Sequence, residues 1–378
     1  MKLTVPLFQE IKSYYNFLTN RNKTKSIVFY SESSIYYQYY EGLIKSLLNS
    51  HDIDVHYITS DLNDDIFRLE NENLKTYYIN KLLPFFMLSL DAKVLIMTMP
   101  DLNKYHIKRS TKDVEHIYMF HALVSTHMMY RNGAFDHYDT IFCVGPHQVR
   151  EIRAHEEING LKSKKLINTG YYRLEKIYEN YQAFIKTDFE CRQTVLIAPS
   201  WHAGNILESC VYELITNLLA LGYKVILRPH PEFIKRKMNV ITQLSKEFMS
   251  NKKFEMELNM LKDTNFYKAG VLITDWSGIA FEYAFGTERP VILIDTPPKV
   301  HNPDYQKLDI VPMEVELRNI IGITISQEEI GAISNTMDEI ISKRDIYRDR
   351  VIRHGDKYVF NWGKSVDIEL SYLMDRLK

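Results

Sequence analysis

Residues Thr194–His230 read TVLIAPSWHAGNILESCVYELITNLLALGYKVILRPH, and this stretch decides the fold. TVLIAPS (194–200) is a short β-prone run whose strand ends at Ala198, because Pro199 has no N–H to continue a ladder. Leu207, Val211, Leu214, Ile215, Leu218 and Leu219 then share one face at helical spacing. Gly222 stands where a helix C-cap wants glycine. A second apolar run, YKVILRPH, follows at once. Strand, helix and strand joined by short turns make a parallel crossover unit. The pattern continues through NMLKDTNFYKAG, a helix closed by Gly270, and VLITD (271–275), a strand. SGIAFEYAFG is the next helix and PVILIDT (290–296) the next strand. The strands are nearly continuous apolar runs, the signature of a sheet covered on both faces.

Working outward, the same rhythm fills the first half. SIVFYSES (26–33), DVHYITS (54–60), KVLIMTMP (93–100), HIYMFHAL (116–123), TIFCVGP (140–146) and KKLINTG (164–170) are apolar runs ending in turn residues. Tyr36, Tyr40, Leu43, Ile44 and Leu47 form a helical stripe between the first two. A chain of 378 residues exceeds one ordinary core. The expected fold is α/β, with two Rossmann-like doubly wound domains facing a cleft. Their expected extents are 1–180 and 181–340, joined near 175–192, with helices over 341–378 packing back on the first domain.

Composition excludes several classes. The net charge of -1 gives no global attraction to nucleic acid or anionic membranes. Cys143, Cys191 and Cys210 are far apart and form no CxxC, so neither a disulfide framework nor a zinc site is expected. The opening MKLTVPLFQEIKSYYNF has no signal-peptide pattern. The most apolar window, KLLPFFMLSLDAKVLIMTMP, is broken by Pro84, Asp91 and Lys93 and reads as a helix end and a strand. The expected location is the cytoplasm, with peripheral membrane contact allowed.

Ligands of doubly wound sheets bind beyond the carboxyl ends of the strands, so the residues just after each strand carry the chemical reading. In RPHPE (228–232) two prolines hold Arg228 and His230 on an extended rail. A lone histidine is usually structural, but this mount suits a phosphate, which arginine and histidine both recognise. In APSWH (198–202), Pro199, Ser200, Trp201 and His202 face the expected cleft, although Ser200 or Asn205 also suits a helix cap. In TDWSG (274–278), Asp275 ends a strand, Ser277 caps a helix or offers its hydroxyl to an anion, and Gly278 permits close approach. Glu282 lies one turn further on the same face, or is merely solvated. In FHALVSTH (120–127), His121 follows a first-half strand and would face His230, a position suited to a general base. His127 reads as structural. In SESS (31–34), Ser31 and Ser33 either meet an acceptor or cap a helix. Arg109, with Lys104, Lys108 and Lys112, either docks an anionic acceptor or lipid phosphate or forms a solvated face. HDIDVH (51–56) and DLNDD (61–65) are discounted as metal sites, and GAFDHYD (133–139) reads as a polar loop. No metal or cofactor is expected. No GxGxxG or GxSxG occurs.

Together APSWH, LRPHP and LITDWSGIAFEYAFGTERPVILID resemble the CDP-glycerol glycerophosphotransferase family. There the matching stretches read TPTWR, RPHP and TDYSS followed by FDF, and FHALVST resembles the family's HG-type strand end. The convincing span is 194–296. The resemblance implies a GT-B architecture with an acceptor domain first and a nucleotide-donor domain second. It implies transfer of glycerol phosphate, or another polyol phosphate, from a CDP donor to a hydroxyl of a glycan or lipid-linked acceptor, with release of CMP. It makes His121 the base, and Arg228 and His230 the phosphate ligands. It places Asp275 and Ser277 in the TDxS loop, and Pro199 and Ser200 at the donor-side PT pair. Glu282 stands where the family has the Asp of FDF. Ala122, Gly278 and His202 depart from the family's Gly, Ser and Arg, which implies a different donor headgroup. The long helical membrane-targeting region of some family polymerases is not recognised.

Three rivals share these features: a GT-B glycosyltransferase using a nucleotide sugar, a nucleotide-sugar epimerase of the same fold, and a non-catalytic nucleotide- or glycan-binding protein.

Overall fold

The computed structural model describes residues 4–19, 26–50, 53–185, 193–259 and 263–378. Cys191, and His51 and Asp52 of HDIDVH, lie outside the described residues. The first sheet contains β1 (Ile27–Ser31), β2 (Val55–Thr59), β3 (Leu74–Tyr78), β4 (Val94–Met97), β5 (Glu115–Met119), β6 (Thr140–Cys143) and β7 (Lys165–Asn168). Its order is β3-β2-β1-β4-β5-β6-β7, with every neighbour parallel. The second contains β8 (Thr194–Ile197), β9 (Lys224–Leu227), β10 (Phe254–Met256), β11 (Val271–Thr274), β12 (Val291–Ile294) and β13 (Gly322–Ile325). Its order, β10-β9-β8-β11-β12-β13, is again wholly parallel. The strand order reverses once in each sheet, between β1 and β4 and between β8 and β11. Such switch points open a crevice at the carboxyl ends of the strands.

Of the strands read from continuous apolar runs, β1, β4 and β11 are central and wholly buried, whereas β7 is an exposed edge strand. Tyr40, Leu43, Ile44 and Leu47 of the expected stripe lie fully buried against the first sheet. Tyr36 departs from it: it sits in a 3-10 turn, Ser34–Tyr36, and lines the cleft. Cys143 and Cys210 are buried and unpaired.

The helix Tyr172–Ile185 ties the halves together by lying along the helix Ile279–Thr287. The approach is close enough that a Cβ on Gly286 would stand 2.4 Å from Ile177 Cγ2. At the far end of the chain, Ile333–Ser342 stays with the second sheet and Arg344–Tyr358 packs on helices of both halves. The Phe360 N–H then donates to the Val144 carbonyl at 2.8 Å, and Ser365–Leu377 lies on the helix Tyr37–Ser50 of the first half.

Candidate active site

A cleft of about 600 Å³ lies between the carboxyl ends of the two sheets. The Ser33, His121, Pro199, Arg228, His230, Ser277, Gly278 and Glu282 singled out from the sequence all line it. The volume suits a small-molecule ligand.

The first-half wall is aromatic. β5 ends at Met119, so His121 stands two residues past the strand, in the turn that the loop Ala122–Ser125 continues. Tyr36, Tyr39 and Tyr130 pack around its imidazole with centroids at 5.6, 6.1 and 6.3 Å. Burial, helped by the nearby Lys299 ammonium, pulls its pKa down to about 4. His121 is therefore neutral at pH 7, the form that accepts a proton.

The second-half wall is polar. His230 is the N-cap of the helix Pro231–Arg236, and its Nδ1 accepts the Glu232 N–H at 3.1 Å. An imidazole nitrogen that accepts carries no proton, so the neutral ring must be the Nε2–H tautomer, a donor. Burial, then Lys299 and His121, bring its pKa down to about 3. The prolines on either side make this geometry rigid: Pro229 keeps Arg228 extended, and Pro231 is the first residue of the helix. Arg228 is only 3% exposed, and its Nε donates to Glu257 at 2.6 Å. Its guanidinium reaches the cleft already paired, so its charge is largely balanced before any phosphate arrives.

Ser277 does not cap its helix with its side chain. The N-cap is Gly278, and the Ser277 hydroxyl has no hydrogen bond among the described residues. Gly278 serves packing: a Cβ there would stand 2.7 Å from Val124 Cγ1. The glycine lets the first half's loop press against the helix start, a packing role beside its place in the cleft lining. Glu282 accepts from the Tyr171 hydroxyl at 2.7 Å, and burial pushes its pKa up.

Four expected site residues have their side chains elsewhere. Asp275 is 1% exposed and accepts the backbone N–H groups of Ser200, Trp276 and Ile206 at 2.8, 2.7 and 3.2 Å. It clips two strand-end loops together behind the cleft wall. Ser200 is fully buried and hydrogen-bonds His202 Nδ1 at 3.0 Å. Ser31 is buried and donates to the Ser33 carbonyl at 2.6 Å. Arg109 lies at the opposite, amino-terminal end of the strands. It pairs with Asp139 at 2.9 Å and lines a separate cavity of about 450 Å³ with Lys93, Glu115, Lys165 and Arg376. Lys93, Glu115 and Lys165 stand at or just before the first residues of β4, β5 and β7, so that cavity is at the amino ends of the strands.

The loop after His121 is stitched to the second half. Ser125 N–H donates to Glu314 at 2.8 Å, Asn302 Nδ2 donates to the His127 carbonyl at 3.0 Å, and the His301 N–H donates to the Met128 carbonyl at 3.0 Å. His127 sits 3.3 Å from Glu151 and 3.0 Å from the Ile310 carbonyl, a structural role. Burial draws its pKa down, but Glu151 outweighs that and leaves it raised. Burial also pushes the Glu314 carboxyl up to about 7.

The sequence reading missed Lys299, His301, Tyr39 and Tyr130, all of which line the cleft. A signal for the first two was present. They follow PVILIDT, a strand end of the kind that led to the other sites.

The class defined by this architecture is a GT-B-like enzyme with its site between two parallel sheets. The chain matches the family described as CDP-glycerol:poly(glycerophosphate) glycerophosphotransferase over residues 13–359, and it belongs to that family. Among solved structures it is similar to the wall teichoic acid polymerase TagF, in crystals soaked with CDPG, at 12% identity and TM-score 0.61, covering 99% of this chain and 98% of that one. It is also similar to a putative UDP-N-acetylglucosamine 2-epimerase from Listeria monocytogenes (12% identity, TM-score 0.57, 94% and 97% covered). A UDP-N-acetylglucosamine 2-epimerase from Rickettsia bellii gives 10% identity and TM-score 0.59, with 93% and 98% covered. At these identities the structural likeness establishes the fold alone. No curated protein sequence matches the chain.

Proposed function

We propose that this enzyme transfers glycerol phosphate, or a related polyol phosphate, from a CDP-activated donor to a hydroxyl of a surface-glycan or lipid-linked acceptor, and releases CMP. Residues 1–180 form the acceptor side and 181–340 the donor side, with 341–378 closing back on the first. The observation that carries the reading is the opposition of two neutral histidines of different character. His121, collared by tyrosines, is a proton acceptor. His230, with Nδ1 held by the Glu232 N–H, is a proton donor to an anion. His121 takes the acceptor's hydroxyl proton while that oxygen attacks the polyol-bearing phosphorus. The bond from that phosphorus to the bridging oxygen breaks, and its electron pair leaves with CMP. His230 Nε2–H and the Ser277 hydroxyl hold the phosphate oxygens, and Arg228 reinforces them from its pair with Glu257. Positioning and charge stabilisation suffice for phosphoryl transfer.

The enzyme works at the cytoplasmic side of a membrane. In support, the helix Thr4–Thr19 exposes Phe8, Ile11, Tyr15 and Leu18 by 70%, 52%, 65% and 51% along one side. Such a row lies in a lipid interface without spanning it. No helix among the described residues is long and apolar enough to cross a membrane.

³¹P NMR of the protein with CDP-glycerol and a lipid-linked glycan extract tests the chemistry. The expected outcome is CMP together with a new phosphodiester signal. Conversion of UDP-N-acetylglucosamine to an isomer, with CDP-glycerol untouched, would instead establish the epimerase reading.

A further inference from the structure

Among the described residues four Lys or Arg side chains line the cleft: Arg173, Arg228, Lys235 and Lys299. Three already have a carboxylate. Arg173 holds Asp263 through two contacts of 2.6 Å, Arg228 holds Glu257 at 2.6 Å, and Lys235 stands 3.6 Å from Glu232. Lys299 has no ion pair or hydrogen bond among the described residues. Its ammonium stands 5.5 Å from the Trp201 ring centroid. Asp275, one carboxylate whose field reaches it, is saturated by backbone N–H groups.

The mount is rigid on both sides of this residue. Before it, His202 Nε2 lies 2.7 Å from the Pro297 carbonyl, and Trp276 Nε1 donates to the Thr296 carbonyl at 2.9 Å. After it, His301 and Asn302 bind the backbone of Met128 and His127 in the opposite half. The backbone is thus pinned on both sides of Lys299, where the two walls meet. Its field reaches His121, His230, His202 and His301, lowering the pKa of each. A desolvated cation without a partner is unfavourable until an anion arrives.

We propose that Lys299 is a catalytic residue that binds the donor's pyrophosphate and neutralises the charge that grows on the bridging oxygen as the phosphate–CMP bond breaks. It takes the part that the sequence suggested for Arg228. This rests on the donor reading above only for the identity of the nucleotide. Lys299 donates hydrogen bonds and gives up no proton; the acceptor's proton goes to His121, and the departing electron pair stays on CMP.

The test uses the full chain with Lys299→Met and Lys299→Arg, and inorganic pyrophosphate, CDP-glycerol, cytidine and UDP-N-acetylglucosamine as calorimetric probes. Lys299→Met should weaken pyrophosphate and CDP-glycerol at least tenfold, leave cytidine unchanged, and be largely rescued by Lys299→Arg. In the unliganded protein the titration midpoints of the His121 and His230 ring protons should rise in Lys299→Met, because a nearby positive charge is gone. That shift locates the ammonium beside both rings, and the loss of pyrophosphate binding assigns its role. Unaltered pyrophosphate binding in Lys299→Met, or no pyrophosphate binding by the wild type, would overturn the proposal. Tight UDP-N-acetylglucosamine binding that depends on Lys299, with no response to CDP-glycerol, would uphold Lys299 and overturn the cytidine donor instead.

Discussion

The two walls of the cleft differ in kind. The first-half wall presents His121 among Tyr36, Tyr39 and Tyr130, with Met99 and Met129 beside them. Among the described residues its charged side chains are Glu32 and Arg173, and Arg173 is committed to Asp263. The second-half wall presents Arg228, His230, Ser277 and Lys299, with the carboxylates Glu232 and Glu282 among them. An aromatic, charge-poor wall suits an uncharged hydroxyl-bearing ring or chain, whereas a wall of donors and cations suits phosphate. The difference teaches that the halves divide the chemistry. One handles a proton and the other handles charge, and neither site is complete alone.

The largest effect expected from this division is on the proton side. His121→Asn should lower transfer by about 10²–10⁴-fold while donor affinity stays within roughly twofold of wild type; turnover and calorimetry check the two parts. Loss of donor binding would show that the walls are not specialised. Next, His230→Ala should cost about 10²-fold in kcat/KM, with donor binding weakened as well. That contrast with His121→Asn is what separates a phosphate donor from a base.

The seam between the walls is the third target. Gly278→Ala drives a methyl into Val124 and should destabilise by about 1–3 kcal/mol in denaturant titration. Val124→Ala in the same chain should restore much of it.

Two pH effects sharpen the comparison further. His121 and His230 titrate at about 4 and about 3 in the folded protein, against roughly 6.5 unfolded. Between those values the unfolded chain binds more protons, so stability must fall as pH drops through that window. Replacing both with asparagine should flatten the acid side of a Tm–pH profile by a few degrees, which is about the scale of 1 kcal/mol. Glu314 has the opposite sign. Its carboxyl is pushed up to about 7, so the folded chain holds the extra proton, and stability falls as pH rises from about 4.3 through 7. Glu314→Gln should stabilise on the order of 1 kcal/mol at pH 8, with little change at pH 5, while its carbonyl still accepts from Ser125.

Central architecture was legible because buried parallel strands are continuous apolar runs. LKTYY (74–78), FEM (254–256) and GITI (322–325) escaped notice for the same reason. β3, β10 and β13 are edge strands, half-exposed along their length, and polar or glycine residues interrupt their apolar runs; β7, also an edge, was legible because Leu166 and Ile167 precede the turn residues Thr169 and Gly170. At the site, His121, His230 and Ser277 were found because each follows a recognisable strand end. Asp275 looked functional by the same logic, but a carboxylate at a strand end can also be consumed by backbone N–H groups. That choice depends on how two loops approach. Arg109 was misplaced because a basic run does not say which end of the strands it occupies. Arg228 was read without its partner, since Glu257 lies 29 residues away in the chain. Lys299 follows the strand end PVILIDT, but only the folded arrangement shows that the other cleft-lining cations are already paired.

Calorimetric titration of the wild-type chain with CDP-glycerol, CMP, UDP and UDP-N-acetylglucosamine tests the central claim most directly. The account predicts saturable binding of CDP-glycerol and CMP, with at least tenfold preference over the uridine compounds. Preferential binding of the uridine compounds, with no response to CDP-glycerol, would contradict it.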